Sequence, residues 1–135
     1  MLAVVVLAVV AIVALGGPDT ADYDPDSPEG VVQRYLEATR RGDVDASREL
    51  LSERARAQLD EDKGPDIYRP PYVDDDRLVT IDRTEVAGER ATVWLRVEDT
   101  GGSGLSLERY SWTMPVPLVR EDGDWLIDDP YVVLF

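Results

Sequence analysis

The chain has no cysteine and no histidine, and only one of its fourteen basic residues is lysine. Without cysteine there is no disulfide frame, no thiolate nucleophile and no lipid-modified cysteine anchor. Without histidine, zinc sites built on imidazole or thiolate are excluded, as are imidazole general bases. Positive charge is scarce: 14 Lys and Arg stand against 28 Asp and Glu, a formal net charge of −14. Such a chain repels phosphate backbones and carries no basic stripe, so nucleic-acid binding and direct docking on anionic lipid headgroups are both disfavoured.

The one long apolar run lies at the start. MLAVVVLAVVAIVALGG, residues 1–17, has no charged or polar side chain. As a helix it would reach about 25 Å, slightly short of the roughly 30 Å hydrocarbon core of a bilayer. Residues 18–30 invert that character, with Asp19, Asp22, Asp24, Asp26, Glu29 and no basic residue. A core helix is seldom separated from its core by such a spacer. The expectation is a transmembrane or signal segment over 1–17, then an acidic linker over 18–30 that repels itself and extends. Ala14-Leu15-Gly16 has the small residues of a cleavage site. The chain is therefore expected at the cell membrane as a single-pass protein with its domain on the extracytoplasmic side, or secreted if cut near Gly16. The acidic flank fits the outer side, although acidic residues orient spans only weakly. The linker accounts for five of the negative charges, leaving −9 on residues 31–135. About 105 residues suffice for one domain with a real core.

Within that domain the pattern changes once. Ser27 is a good N-cap, Pro28 suits the first helical position, and Val31, Val32, Tyr35, Leu36 and Thr39 recur on one helical face. Arg40, Arg41 and Gly42 close that helix. Asp43 and Ser52 are placed to cap two shorter helices, Val44–Leu51 and Glu53–Leu59, with Ala46, Leu50, Leu51, Ala55 and Leu59 inward. Residues 60–76 read as a loop with seven acidic residues, Asp74, Asp75 and Asp76 among them. From Arg77 the period is two. Val79, Ile81 and Arg83 share a face; after a turn at Ala87–Glu89, so do Ala91, Val93, Leu95 and Val97. Beyond the glycine-rich stretch 101–104, Tyr110, Trp112, Met114, Val116 and Leu118 line one face of a long strand. Pro115 and Pro117 fall on the other, which predicts an edge or a bulge. The order predicts an α+β fold, two or three N-terminal helices packed on an antiparallel sheet.

EDGDWLIDDP, Glu121 to Pro130, holds five acidic residues around one tryptophan. Asp122-Gly123 is hairpin-turn chemistry, and Trp125 is expected to anchor the last strand in the core. A cation held by Asp122, Asp124 and Asp128 is the competing reading, since hard ions take carboxylate oxygens. No spacing matches a calcium loop, so neither a metal site nor a cofactor is expected.

Ser27 to Ser52, SPEGVVQRYLEATRRGDVDASRELLS, resembles the opening of nuclear transport factor 2-like domains, the cone-shaped cystatin-like fold. The match runs through Val31, Val32, Tyr35, Leu36, Ala38, Gly42, Asp43, Ala46, Leu50 and Leu51. Val119 to Asp129, VREDGDWLIDD, looks like the terminal hairpin of that family. The resemblance covers residues 27–135. It implies helices on a curved antiparallel sheet, with a cone interior that some relatives keep open as a pocket. Bacterial relatives often pair one N-terminal membrane segment with an extracytoplasmic domain of no known catalysis.

Three functions follow as expectations. The first is a non-catalytic accessory domain that binds another envelope protein, or a second copy of itself through the sheet. The second is a binder of a small apolar ligand in the cone. Tyr35, Trp94, Tyr110 and Trp112 are the candidate pocket or interface residues, although Trp94 alternates against Val93 and Leu95 and so faces away from them. The third is an isomerase- or hydrolase-like enzyme. It needs a buried carboxylic acid with a raised pKa opposite a tyrosine, for which Asp82, Glu85, Glu98 or Glu108 and Tyr35, Tyr68 or Tyr110 supply the types. No residue matches the catalytic pair of the family's enzymes, so no catalytic residue is assigned.

Overall fold

The computed structural model describes residues 23–61, 77–99 and 110–131. Three helices, α1 (Pro28–Arg40), α2 (Val44–Glu49) and α3 (Glu53–Glu61), precede four strands. The strands are β1 (Arg77–Ala87), β2 (Arg90–Asp99), β3 (Tyr110–Glu121) and β4 (Asp124–Ile127). They form one open antiparallel sheet in the order β1-β2-β3-β4, with the helices packed against it. This is the α+β class that the change of period predicts. The segments 1–17, 18–22, 62–76 and 100–109 lie outside the described residues. No helix among the described residues is long and apolar enough to cross a membrane.

Each helix starts where a short polar side chain can satisfy an orphan amide. Ser27 Oγ accepts from Gly30 N–H at 3.1 Å, Asp43 Oδ1 from Ala46 N–H at 3.1 Å, and Ser52 Oγ from Ala55 N–H at 3.1 Å. α1 ends at Gly42, whose φ of 68° is open to glycine without steric cost. Its inward face carries Val31, Val32, Tyr35, Leu36, Ala38 and Thr39, all buried.

The core lies between α1 and the sheet. Ala91, Val93, Leu95 and Val97 of β2 meet Leu118, Val116, Met114 and Trp112 of β3 directly across the strand pair. Ile127 and Trp125 extend that face on β4, and Leu51 closes it with a parallel bridge to Ile127. Leu51, Val93, Leu95, Val97, Val116 and Ile127 are fully excluded from solvent. Each such aliphatic side chain stabilises the fold by about 1.5–3 kcal/mol.

Two features depart from the simple alternation. The register of β1 on β2 slips between Ile81 and Arg83, so Asp82 is an extra residue. The slip reverses the phase: Val79 and Ile81 face the core, but Arg83 pairs with Trp94 on the outer face and Thr84 with Val93 on the inner one. Arg83 therefore does not share a face with Val79 and Ile81, because one inserted residue exchanges inside and outside. The prolines of β3 are accommodated without a bulge. Among the described residues, β3 is paired on its second side by β4 from Leu118 to Glu121. Asp128 N–H donates to the Pro117 carbonyl at 2.8 Å, so Pro117 turns its main-chain groups to the β4 side. Pro115 has the same parity and lies beyond the end of β4, where its missing N–H forfeits no ladder bond to the described residues.

Candidate functional site

The acidic stretch 121–130 resolves into a turn and a clasp. Glu121 pairs with Asp124 around Asp122 and Gly123, which have φ of 52° and 91°. Two positive φ values define the hairpin turn whose twist matches that of the strands, and glycine enters it freely. β4 then buries Trp125 to 5% exposure, with the Arg120 guanidinium stacked 4.4 Å from its ring centroid.

The clasp joins the end of β4 to the start of α3. The chain reaches it because Leu51 bridges Ile127, with Ser52 N–H donating to the Ile127 carbonyl and Ile127 N–H to the Leu50 carbonyl, both at 2.8 Å. That pairing brings Asp128 against Ser52 and Arg54. Ser52 Oγ donates to Asp128 Oδ1 at 2.7 Å while accepting from Ala55 N–H, and Arg54 Nε donates to the same carboxylate oxygen at 3.0 Å. The Arg54 guanidinium also donates to the Asp128 carbonyl. Glu121 Oε2 accepts from Glu53 N–H at 3.3 Å, so two carboxylates face the N-terminus of α3, as its dipole favours.

Partial burial pushes the Asp128 carboxyl up. The hydrogen bonds from Arg54 and Ser52, with the charges of Arg54 and Arg90, outweigh it and hold the carboxyl below its ordinary range. The same hydrogen bond and charge raise Arg54 further. A carboxyl lowered on folding contributes stability that is present above its ordinary titration range and is lost as the pH falls through and below about 4. Denaturant melts of the wild type and of Asp128→Asn are therefore expected to differ at neutral pH and to converge as the pH falls below the ordinary carboxylate range. Parallel curves over that range would remove Asp128 from the account.

The outer face of the sheet carries the second constellation. The Arg83 guanidinium lies 4.2 Å from the Trp94 ring centroid. Arg83 also donates to Glu85 Oε1 at 3.2 Å and to Asp82 Oδ2 at 3.4 Å, and Arg96 donates to Asp82 Oδ1 at 2.7 Å. The bulge that adds Asp82 brings it between the two arginines. Trp94 is thus half-buried under Arg83, and its Nε1–H is buried with no hydrogen-bond partner among the described residues. Exposed pairs of this kind contribute little to stability, about 0–1 kcal/mol each.

The four residues singled out for a pocket or interface do not share one surface. Tyr35 fills the core beneath α1, and Trp112 packs half-buried against the same core from β3. Trp94 lies across the sheet from both. Tyr110 begins β3 opposite Asp99, with its side chain outside the described residues. None of the described carboxylates weighed for catalysis faces Tyr35. Asp82, Glu85 and Glu98 lie on the outer face, away from Tyr35, and Glu108 and Tyr68 fall outside the described residues. Among the described residues the buried polar side chains are Thr39, Ser47, Ser52 and Thr84, none of them an acid. No group of three or more acidic residues among them is placed to hold a metal ion. Asp122 and Asp124 serve the turn, and Asp128 is held by Ser52 and Arg54. The clasp is the element sequence reasoning missed: Ser52 was legible as a cap, but nothing in the spacing ties it to a residue 76 positions away.

Comparison of the chain with family models, with curated proteins and with solved structures finds no match.

Proposed function

We propose that the chain is a non-catalytic accessory domain of the nuclear transport factor 2-like type, tethered to the cell membrane by residues 1–17 and held on the extracytoplasmic side. It acts by binding another envelope protein. The observation that carries this reading is the distribution of its carboxylates. A general acid at neutral pH needs an apolar site that raises its pKa. Here the core face is lined with Val, Leu and Ile, the described acids stay outside it, and the Asp128 carboxyl is held below its ordinary range by its hydrogen bonds from Arg54 and Ser52. The hydrophobic start and the acidic linker support the tether.

The test is a photo-reactive residue at Thr92 or Thr113 on the outer face, in the full chain in its own membranes, with Glu37 on α1 as the control position. A discrete cross-linked polypeptide from the outer face alone is the expected result. Equal, diffuse labelling from all three positions would contradict a specific protein partner.

One observation favours a small-ligand binder instead. Thr84 Oγ1 is buried on the core face with no hydrogen-bond partner among the described residues. A ligand with a polar group could satisfy it; in an accessory domain it is simply an uncompensated hydroxyl. A hydroxyl buried without a partner carries its desolvation cost, and a methyl in its place removes that cost. Thr84→Val is therefore expected to hold or raise the melting temperature of the purified chain. A fall of several degrees would move the balance toward the ligand.

A further inference from the structure

α1 and α3 are attached to the fold by different means. α1 buries eight of its residues, aliphatic side chains prominent among them. α3 buries Ala55 alone, with Leu59 half-buried against the core. Among the described residues, what fixes α3 is mainly polar. At its start stand the Asp128 carboxylate on Ser52 and Arg54, the Arg54 guanidinium on the Asp128 carbonyl, and the Glu121 carboxylate on Glu53 N–H. Near its end, Arg48 of α2 donates to Asp60 Oδ1 at 2.6 Å.

Apolar burial does not rest on charge pairing and is not weakened by screening. Charge-assisted bonds at a surface weaken as salt screens them, and Arg54 is 63% exposed. The clasp differs from an isolated surface pair in that one carboxylate gathers two side-chain donors from α3 and its cap. The geometry points to a conformational device: α3 is a helix latched by charge. It opens as a unit about Leu50–Ser52, with Asp128 as the catch, while α1 and the sheet stay folded. Opening uncovers the apolar side formed by Ala55 and Leu59. Elements held by few apolar contacts are those that open at low free energy within an otherwise intact fold.

Amide hydrogen exchange on the full chain in detergent micelles tests this. In the wild type, the amides of Ala57–Glu61 exchange faster than those of Tyr35–Thr39, and added sodium chloride speeds the former only. Asp128→Asn and Arg54→Gln each raise exchange in α3 by about tenfold, the order contributed by one charge-assisted hydrogen bond, with α1 and β2 unchanged. If Asp128→Asn loosens the whole domain, the Arg54→Gln variant and the salt titration still decide, since Arg54 is a surface residue. The inference is overturned if α3 and α1 exchange at one common rate in the wild type. It is equally overturned if salt and Arg54→Gln leave α3 unchanged, or alter α1 and α3 alike.

Discussion

Replacing Trp125 with alanine lowers the stability of the domain by about 3–5 kcal/mol, the range for deleting a large aromatic side chain from a core. Trp125 is 5% exposed, closes the core on the short strand β4, and supports the Arg120 guanidinium on its ring. β4 has only four residues, so few other contacts can hold it while a cavity of that size forms. The loss is expected to spread to the clasp, because Asp128 follows β4 directly. Trp125→Phe keeps most of the buried area and should recover more than half of the loss. Chemical denaturation of the three proteins checks both, and an alanine variant that unfolds at the wild-type midpoint would contradict a core anchor.

Gly30→Ala is expected to destabilise by roughly 1–3 kcal/mol, the cost of overpacking, although alanine is the better helix former. A Cβ at position 30 would stand 2.0 Å from the Asp24 carbonyl oxygen and 2.9 Å from its carbon. That oxygen is not free to move. It accepts from Ser27 N–H at 2.9 Å and from Ser27 Oγ at 2.7 Å, while the same hydroxyl caps α1 by accepting from Gly30 N–H. The turn at Asp24–Ser27 and the first turn of α1 are therefore built around the missing side chain. Gly42→Ala is the instructive comparison. Nothing lies within 4 Å of a Cβ there, so only the φ of 68° is strained and the loss is expected to be about 1 kcal/mol. A Gly30→Ala variant as stable as the wild type would show that the turn before α1 does not pack as described.

The local parts of this fold were legible because their causes are local. Ser27, Asp43 and Ser52 announce three helix starts by their ability to accept a backbone N–H. Val31, Val32, Tyr35 and Leu36 announce the buried face of α1 by spacing alone. Ala91, Val93, Leu95 and Val97 do the same for β2, where strict alternation and full burial coincide. What failed to show depends on partners distant in the chain. The bulge at Asp82 is invisible in a run where either phase places a plausible residue inward, and it turned Arg83 outward to stack on Trp94. The prolines of β3 pointed to an edge or a bulge; no bulge is present, and among the described residues β4 pairs with β3 only from Leu118 onward, since that depends on how far β4 extends. The clasp could not be read at all, because the Leu51–Ile127 bridge that creates it joins helices and strands through tertiary packing. As for the candidate site, the sequence supplied aromatic types without their sides: Tyr35 and Trp112 belong to the core, and Trp94 to the opposite face.

The central claim is that this domain serves a protein partner and not a small molecule. Native mass spectrometry of the full chain, purified in mild detergent from its own host, tests it most directly. The account predicts the mass of the chain alone, or of the chain with another polypeptide. A stoichiometric small-molecule mass, retained through gentle activation and lost in Thr84→Val, would contradict it and make the core face a binding site.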